Sequence, residues 1–175
     1  MTTFIQSILP PLFLSSTVHL EKRFPPGPTV ADVLAVLHDT QQAIRLSPLI
    51  ISAEPDTTRP ADDGQWFIMT EKLPIFGGII NGKTTFKLKW TNVPEGGDGE
   101  VEAAAGTKLK SQQRVKQDGD VVLFKEDLVV KALSIFMPFV KPTMTKAHEE
   151  LQDILIQKVL DNSKHGIVIS LRADS

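Results

Sequence analysis

Cysteine is absent from the 175-residue chain. Disulfide frameworks, thiolate nucleophiles and cysteine-ligated zinc or iron–sulfur centres are excluded with it. A dominant charge sign is also missing: 19 basic residues against 21 acidic ones leave a net charge of −2. No global field therefore favours nucleic acid or an anionic surface, and any charge argument must be local. No apolar run approaches the ~20 residues that span a bilayer, and the most apolar late stretch, 133–140, is interrupted by Pro138. Residues 1–14 carry no Lys or Arg ahead of their apolar part and are broken at Pro10-Pro11, unlike a secretory leader. The expectation is a cytoplasmic protein without stable membrane insertion. No G-x-G-x-x-G or Walker loop occurs, and the four histidines form no ligand spacing. Neither a cofactor nor a metal is expected.

What the chain does have is a globular composition, 41% hydrophobic and 23% charged, at a length that buries roughly 70% of the unfolded surface. Residues 12–24 place Leu14, Val18, Leu20 and Phe24 on one parity, as in a half-buried strand. Thr29 then reads as a cap, and Val30, Val33, Leu34 and Leu37, followed by Ala43, Ile44 and Leu46, predict two short helices. Strands follow at 50–53, 65–73, 83–92, 100–116 and 120–132. Pro142 suits a first helical turn, and Met144, Ala147, Leu151, Ile154, Leu155 and Lys158 mark one face of a helix ending near Asn162. Residues 12–162 are expected to form one domain, with an N-terminal segment at 1–11 and a tail at 163–175.

Parity carries an inward face from strand to strand. Pairing Asn92 with Gly99 sets Trp90 against Val101, Leu88 against Ala103, Phe86 against Ala105 and Thr84 against Thr107. Closing the next hairpin at 117–120 sets Val115 against Val122, Gln113 against Phe124, Ser111 against Glu126 and Leu109 against Leu128. On the other side Phe67 opposes Leu88, Met69 opposes Phe86 and Glu71 opposes Thr84. Small residues then lie beside bulky ones on the inner face, which predicts a cavity, and two carboxylates, Glu71 and Glu126, point inward. Lys83, Lys87, Lys89, Lys108, Lys110, Arg114 and Lys116 share the outward parity and predict a basic outer face.

The order of strand, two short helices, antiparallel meander and long final helix resembles the helix-grip fold of the SRPBCC superfamily, over 12–162. That superfamily includes START domains, the birch pollen allergen and bacterial aromatic polyketide cyclases. The stretch Thr70-Glu71-Lys72-Leu73-Pro74 with Gly77-Gly78 and Thr84-Thr85 is similar to a fungal subgroup of it. The resemblance implies an α+β fold, a curved antiparallel sheet of six or seven strands wrapped around the C-terminal helix, enclosing a hydrophobic cavity. It implies a hydrophobic small-molecule partner, a lipid, sterol or polyketide, and in some relatives ring closure of a polyketide chain. The fold alone does not choose among these.

Ring closure needs a base for an acidic C–H or enol proton and donors for the developing enolate. Glu71 is the leading candidate base, with Thr84 and Thr107 as donors; a strand-end carboxylate meeting water is the alternative. Glu126, His148 and His19 complete the candidate catalytic set, the last only if a strand bulge turns it inward. Gln substitution of either carboxylate is expected to abolish turnover and leave the fold intact. Phe67, Met69, Thr84, Phe86, Leu88, Trp90, Thr107, Phe124, Met144 and Leu151 are the candidate substrate-binding residues. Leu73, Ile75, Phe76 and Ile79, with Gly77-Gly78, are expected to shape a loop at the cavity mouth. His38 and His165 carry no expected role. A cofactor-independent cyclase is the first reading, a non-catalytic lipid or sterol carrier the second, and an interaction module using the basic face the third.

Overall fold

The change of apolar period along the chain is realised as seven strands and three helices in a computed structural model, which describes residues 11–60, 63–75 and 80–173. Strand β1 (Phe13–Arg23) is followed by α1 (Val30–His38) and α2 (Thr40–Ala43). Then come β2 (Ile50–Pro55), β3 (Gln65–Ile75), β4 (Ile80–Val93), β5 (Gly96–Glu102), β6 (Lys108–Asp118), β7 (Val121–Leu133) and the long α3 (Met137–Ala173). All neighbours pair antiparallel in the order β1-β7-β6-β5-β4-β3-β2. The curved sheet holds α3 against its inner face, and this is the helix-grip fold that the element order predicted.

Thr29 caps α1 as expected. Its hydroxyl accepts from the Asp32 amide at 3.2 Å, and the Asp32 carboxylate accepts from the Thr29 amide at 2.8 Å, a reciprocal box that satisfies two otherwise orphaned donors.

The β3–β4 register is as predicted, with Phe67 opposite Leu88, Met69 opposite Phe86 and Glu71 opposite Thr84. Two other hairpins are shifted by two residues. Val93 pairs with Gly96, so Trp90 faces Gly99 and Leu88 faces Val101. The turn is Pro94-Glu95, and the glycines expected to form it lie inside β5. Their role is close approach: a Cβ on Gly97 would stand 2.3 Å from the Trp90 ring, and one on Gly96 would stand 2.0 Å from the Gln113 carbonyl oxygen. In the β6–β7 hairpin the two-residue turn Gly119-Asp120, with Gly119 at φ 60°, pairs Asp118 with Val121. Val115 therefore faces Phe124 and Gln113 faces Glu126. Because each shift is even, the inward faces are unchanged.

The expected strand 100–116 is two strands. A 3₁₀ turn at Ala104–Gly106, with Ala105 at φ 54° and Gly106 at φ 71°, reverses the chain so that β5 and β6 pair with each other. Ala103 and Ala105 therefore do not oppose Leu88 and Phe86.

Helix α3 begins five residues before Pro142. The Phe139 and Val140 amides both reach the Phe136 carbonyl, and Pro138, in that first turn, loses no helical bond by lacking an N–H. Pro142 lies within the helix, where it does remove one. The helix also runs through 163–173, where a tail was expected.

The two halves of α3 do different things. Its later turns bury Leu155 and Val159 against Phe24, Val33, Val36, Leu37, Val122 and Phe124. Each such side chain contributes about 1.5–3 kcal/mol by leaving water. Its earlier turns touch the sheet through Met137, Val140 and Met144, packed with Val130 and Ala132, and beside that contact they leave the cavity.

Candidate functional site

The space between the early turns of α3 and the β3–β6 face is a cavity of about 380 Å³. That lies within the ~300–1,000 Å³ of small-molecule sites, far beyond what one water needs. Ile44, Met69, Phe86, Leu88, Trp90, Leu109, Val130, Met144 and Leu151 make most of the wall apolar. Polar groups enter it from Glu71, Thr84, Thr107, Ser111, Gln113 and His148.

Of the candidate substrate-binding residues, Met69, Thr84, Phe86, Leu88, Trp90, Thr107, Met144 and Leu151 line the cavity. Phe67 and Phe124 do not. Both are fully buried, Phe67 beneath Met69 and Trp90, and Phe124 in the core around Leu155. Their inward parity was right, but neighbouring core side chains fill the space in front of them. Leu73 and Ile75 extend β3, and the loop residues Phe76, Gly77, Gly78 and Ile79 lie outside the described residues.

The candidate catalytic groups separate into three. His19 stands on the outer face, its Nδ1 2.6 Å from Asp127 and its side chain 74% exposed, because β1 pairs with β7 without a bulge. It does not join the others. Glu71 lines the cavity, and burial pushes its carboxyl above the usual carboxylate range, opposed in part by the charge of His148.

Glu126 is 0% exposed and stands behind the cavity wall. Its Oε1 accepts from Ser111 Oγ at 2.6 Å, Gln113 Nε2 at 2.9 Å and His148 Nδ1 at 3.0 Å, and its Oε2 accepts from Gln152 Nε2 at 3.3 Å. Burial pushes its pKa up, but the charge of His148 and the bonds from His148, Ser111 and Gln113 outweigh burial and hold the carboxyl below its ordinary value. With an ionised carboxylate as partner, His148 donates through Nδ1, which leaves Nε2 as the ring's second nitrogen on a residue that lines the cavity. The even register shift explains the cluster: Gln113 is the direct partner of Glu126, and Ser111 lies two residues along on the same face.

Gln152 was not foreseen, although it follows His148 by one turn of α3 and so shares its face. Gln113 Oε1 is a buried acceptor with no partner among the described residues. His38, at the end of α1, bonds through Nε2 to the Val93 and Gly96 carbonyls and so braces the β4–β5 turn. The side chain of His165 lies outside the described residues.

The outer face is less basic than the sequence suggests. Lys87 pairs with buried Asp56 at 2.7 Å and Lys110 with Glu100 at 3.3 Å, while Arg114 pairs with Asp98 and Lys89 with Asp63. Among the described residues no group of three or more His, Asp or Glu side chains is placed to hold a metal ion. No helix among them is long and apolar enough to cross a membrane.

Solved structures share this architecture at low identity. Norcoclaurine synthase from Thalictrum flavum in complex with dopamine and hydroxybenzaldehyde superposes with a TM-score of 0.62 at 16% identity, over 92% of this chain and 98% of that one. The di-domain ARO/CYC StfQ from the steffimycin biosynthetic pathway gives 0.64 at 9%, over 85% of this chain and 52% of that one. A conserved protein from Geobacillus kaustophilus gives 0.61 at 11%, over 85% and 96%. No curated protein matches the sequence. A family model does match, from residue 15 to residue 161, and it spans β1 from its third residue, every later strand, α1, α2 and the part of α3 that lines the cavity. The chain therefore belongs to the family described as domain of unknown function DUF7053.

Proposed function

We propose that this protein binds an apolar, carbonyl-bearing small molecule of polyketide type in the α3 cavity and promotes its intramolecular ring closure by acid–base chemistry. The observation that carries the reading is that one apolar cavity is bordered both by a carboxylate of raised pKa, Glu71, and by a histidine held from behind by a buried carboxylate, His148 on Glu126. A carboxylate and a histidine on one apolar wall supply a candidate base and a candidate acid within reach of one ligand.

In the proposed reaction Glu71 takes a proton from a carbon between two carbonyls, and the resulting enolate carbon bonds to a second carbonyl carbon of the same chain. The oxygen of that carbonyl gains the electron pair and takes a proton from His148 in its protonated form. Thr84, the register partner of Glu71, and Thr107, elsewhere on the lining, are the proposed donors to the enolate oxygen. The apolar wall excludes water and folds the ligand so that its reacting carbons meet. Glu126 is a positioning residue: with no exposure of its own it acts through His148.

The relatives lend support by their printed names alone: one carries ARO/CYC in a biosynthetic pathway, and another binds two aromatic small molecules. The carrier reading rests on the same apolar wall, without proton transfer.

The test is mass spectrometry after incubating wild-type and Glu71→Gln protein with linear polyketide thioester mimics and long-chain lipids. A cyclised or dehydrated product that disappears with the variant is expected. Unchanged lipid retained equally by both proteins would establish a carrier instead.

A further inference from the structure

Beyond the cavity, the end of the sheet where α3 begins has an unusual surface. Ile135 is 79% exposed, and Phe136 and Phe139 are also exposed in the turn and first helical turn after β7. Leu12, 70% exposed, lies beside them, since its carbonyl accepts from the Ser134 amide. Leu14, also exposed, pairs with Ala132. Scattered apolar side chains are ordinary on a surface, but several large ones gathered at one end are not.

Along the chain around them the charge has one sign, and the one acidic register partner of Lys108 and Lys131 is Glu102, opposite Lys108 and bound to Arg59. From Leu128 to His148 the sequence holds Lys131, Lys141 and Lys146 and no Asp or Glu. Lys131 pairs in register with Lys108 on β6, and its ammonium stands 5.4 Å from the Phe13 ring. Lys146 reaches Glu150 at 3.7 Å, whereas Lys108, Lys131 and Lys141 form no ion pair among the described residues. Other cations of the outer face, Lys87, Lys89, Lys110 and Arg114, each have a carboxylate partner. Phe139 and Val140 also line the cavity, so the patch is the cavity's own rim.

We propose that this rim docks on the surface of an anionic phospholipid bilayer, with Ile135, Phe136 and Leu12 entering the headgroup boundary and Lys108, Lys131 and Lys141 meeting lipid phosphates and carboxylates. Apolar side chains supply the insertion and unpaired cations supply the attraction, which is the combination that holds peripheral proteins to such surfaces. Docking there would bring the Phe139 edge of the cavity toward the acyl region, a route for an apolar ligand that avoids water. The inference stands on the patch alone and does not depend on what the cavity does to its ligand.

The test is cosedimentation of the full chain with vesicles of phosphatidylcholine alone and of phosphatidylcholine with phosphatidylserine. Binding to the mixed vesicles is expected, weakened by salt because exposed charges are screened. Ile135→Ser with Phe136→Ser should abolish it while the circular dichroism and melting temperature stay as in wild type, since both side chains are exposed. Lys131→Gln and Lys141→Gln should each weaken it by about fivefold. Absence of cosedimentation with either vesicle, or binding that the Ser pair leaves unchanged, would overturn the proposal. So would a wild-type dimer in light scattering that the Ser pair dissociates, because a second copy would then be the occupant.

Discussion

At the scale of single residues, three carboxylates show how environment sets chemistry. Glu71 has its pKa raised by burial, so its folded form prefers the proton. Between the ordinary carboxylate pKa and the raised one the native state holds more protons than the unfolded state, and stability falls as pH rises. Glu71→Gln should therefore leave the melting temperature at neutral pH equal to or above wild type while removing turnover, a split that a merely structural carboxylate would not give. Glu126 has the opposite sign. Its lowered pKa contributes stability that is present above the ordinary carboxylate range and is lost as pH falls through the lowered value. Glu126→Leu leaves Ser111, Gln113, His148 and Gln152 with donors and no acceptor, and should cost about 3–5 kcal/mol in denaturant unfolding. Asp56 is held down to about 2 from its ordinary 3.8, first by the Lys87 bond and then by Thr58. Its contribution should be intact above pH 3.8 and vanish as pH falls through about 2. Asp56→Asn should flatten that part of the acid limb when unfolding is followed against pH.

At the scale of elements, glycine decides packing. The Trp90 ring lies across Gly97, and Trp90 Nε1 donates to Asn92 Oδ1 at 2.8 Å, so the ring is fixed from both directions. Gly97→Ala forces the ring or β5 to move and should cost about 1–3 kcal/mol, with a shifted tryptophan emission spectrum as its signature. The same glycines explain what could be read in the sequence and what could not. Alternation of Phe86, Leu88 and Trp90 with lysines fixed the inward face of β4, and the face survived although the β4–β5 register moved by two. Register itself depended on whether Gly96 and Gly97 formed the turn or gave way to a ring and a neighbouring strand, and composition does not distinguish these. The 3₁₀ reversal at Ala104–Gly106 was hidden because Ala105 takes a left-handed backbone that alanine rarely adopts. Pro142 misled in a similar way: either proline suits a helix start, and only the Phe136 carbonyl shows that Pro138 occupies it.

At the scale of the whole molecule, most of the cavity wall was legible and its depth was not. Parity told which side chains face inward, but it could not tell that Phe67 and Phe124 meet core while Met69 and Leu88 meet space. That distinction is made by where α3 touches the sheet and where it stands away. Glu126 was visible as an inward carboxylate with Ser111 and Gln113 on its face, yet its bond to His148 needed the helix to be placed over β7. A pattern within one strand is local, whereas a polar cluster built from two strands and a helix is a property of the assembled chain.

The cavity-lining stretch of α3 is a span held at both ends. Leu155 and Val159 hold one end in the core and Met137, packed with Val130 and Ala132, holds the other, while residues 139–151 between them border the cavity, with a missing backbone bond at Pro142 along the span. Amide exchange should accordingly be slow around 152–160 and faster along 139–147, and a bound ligand should slow the span between its two anchors. A span fixed at both ends yields only by bowing between them, so the girth of an admitted ligand is limited by that bow and not by any change in strand pairing.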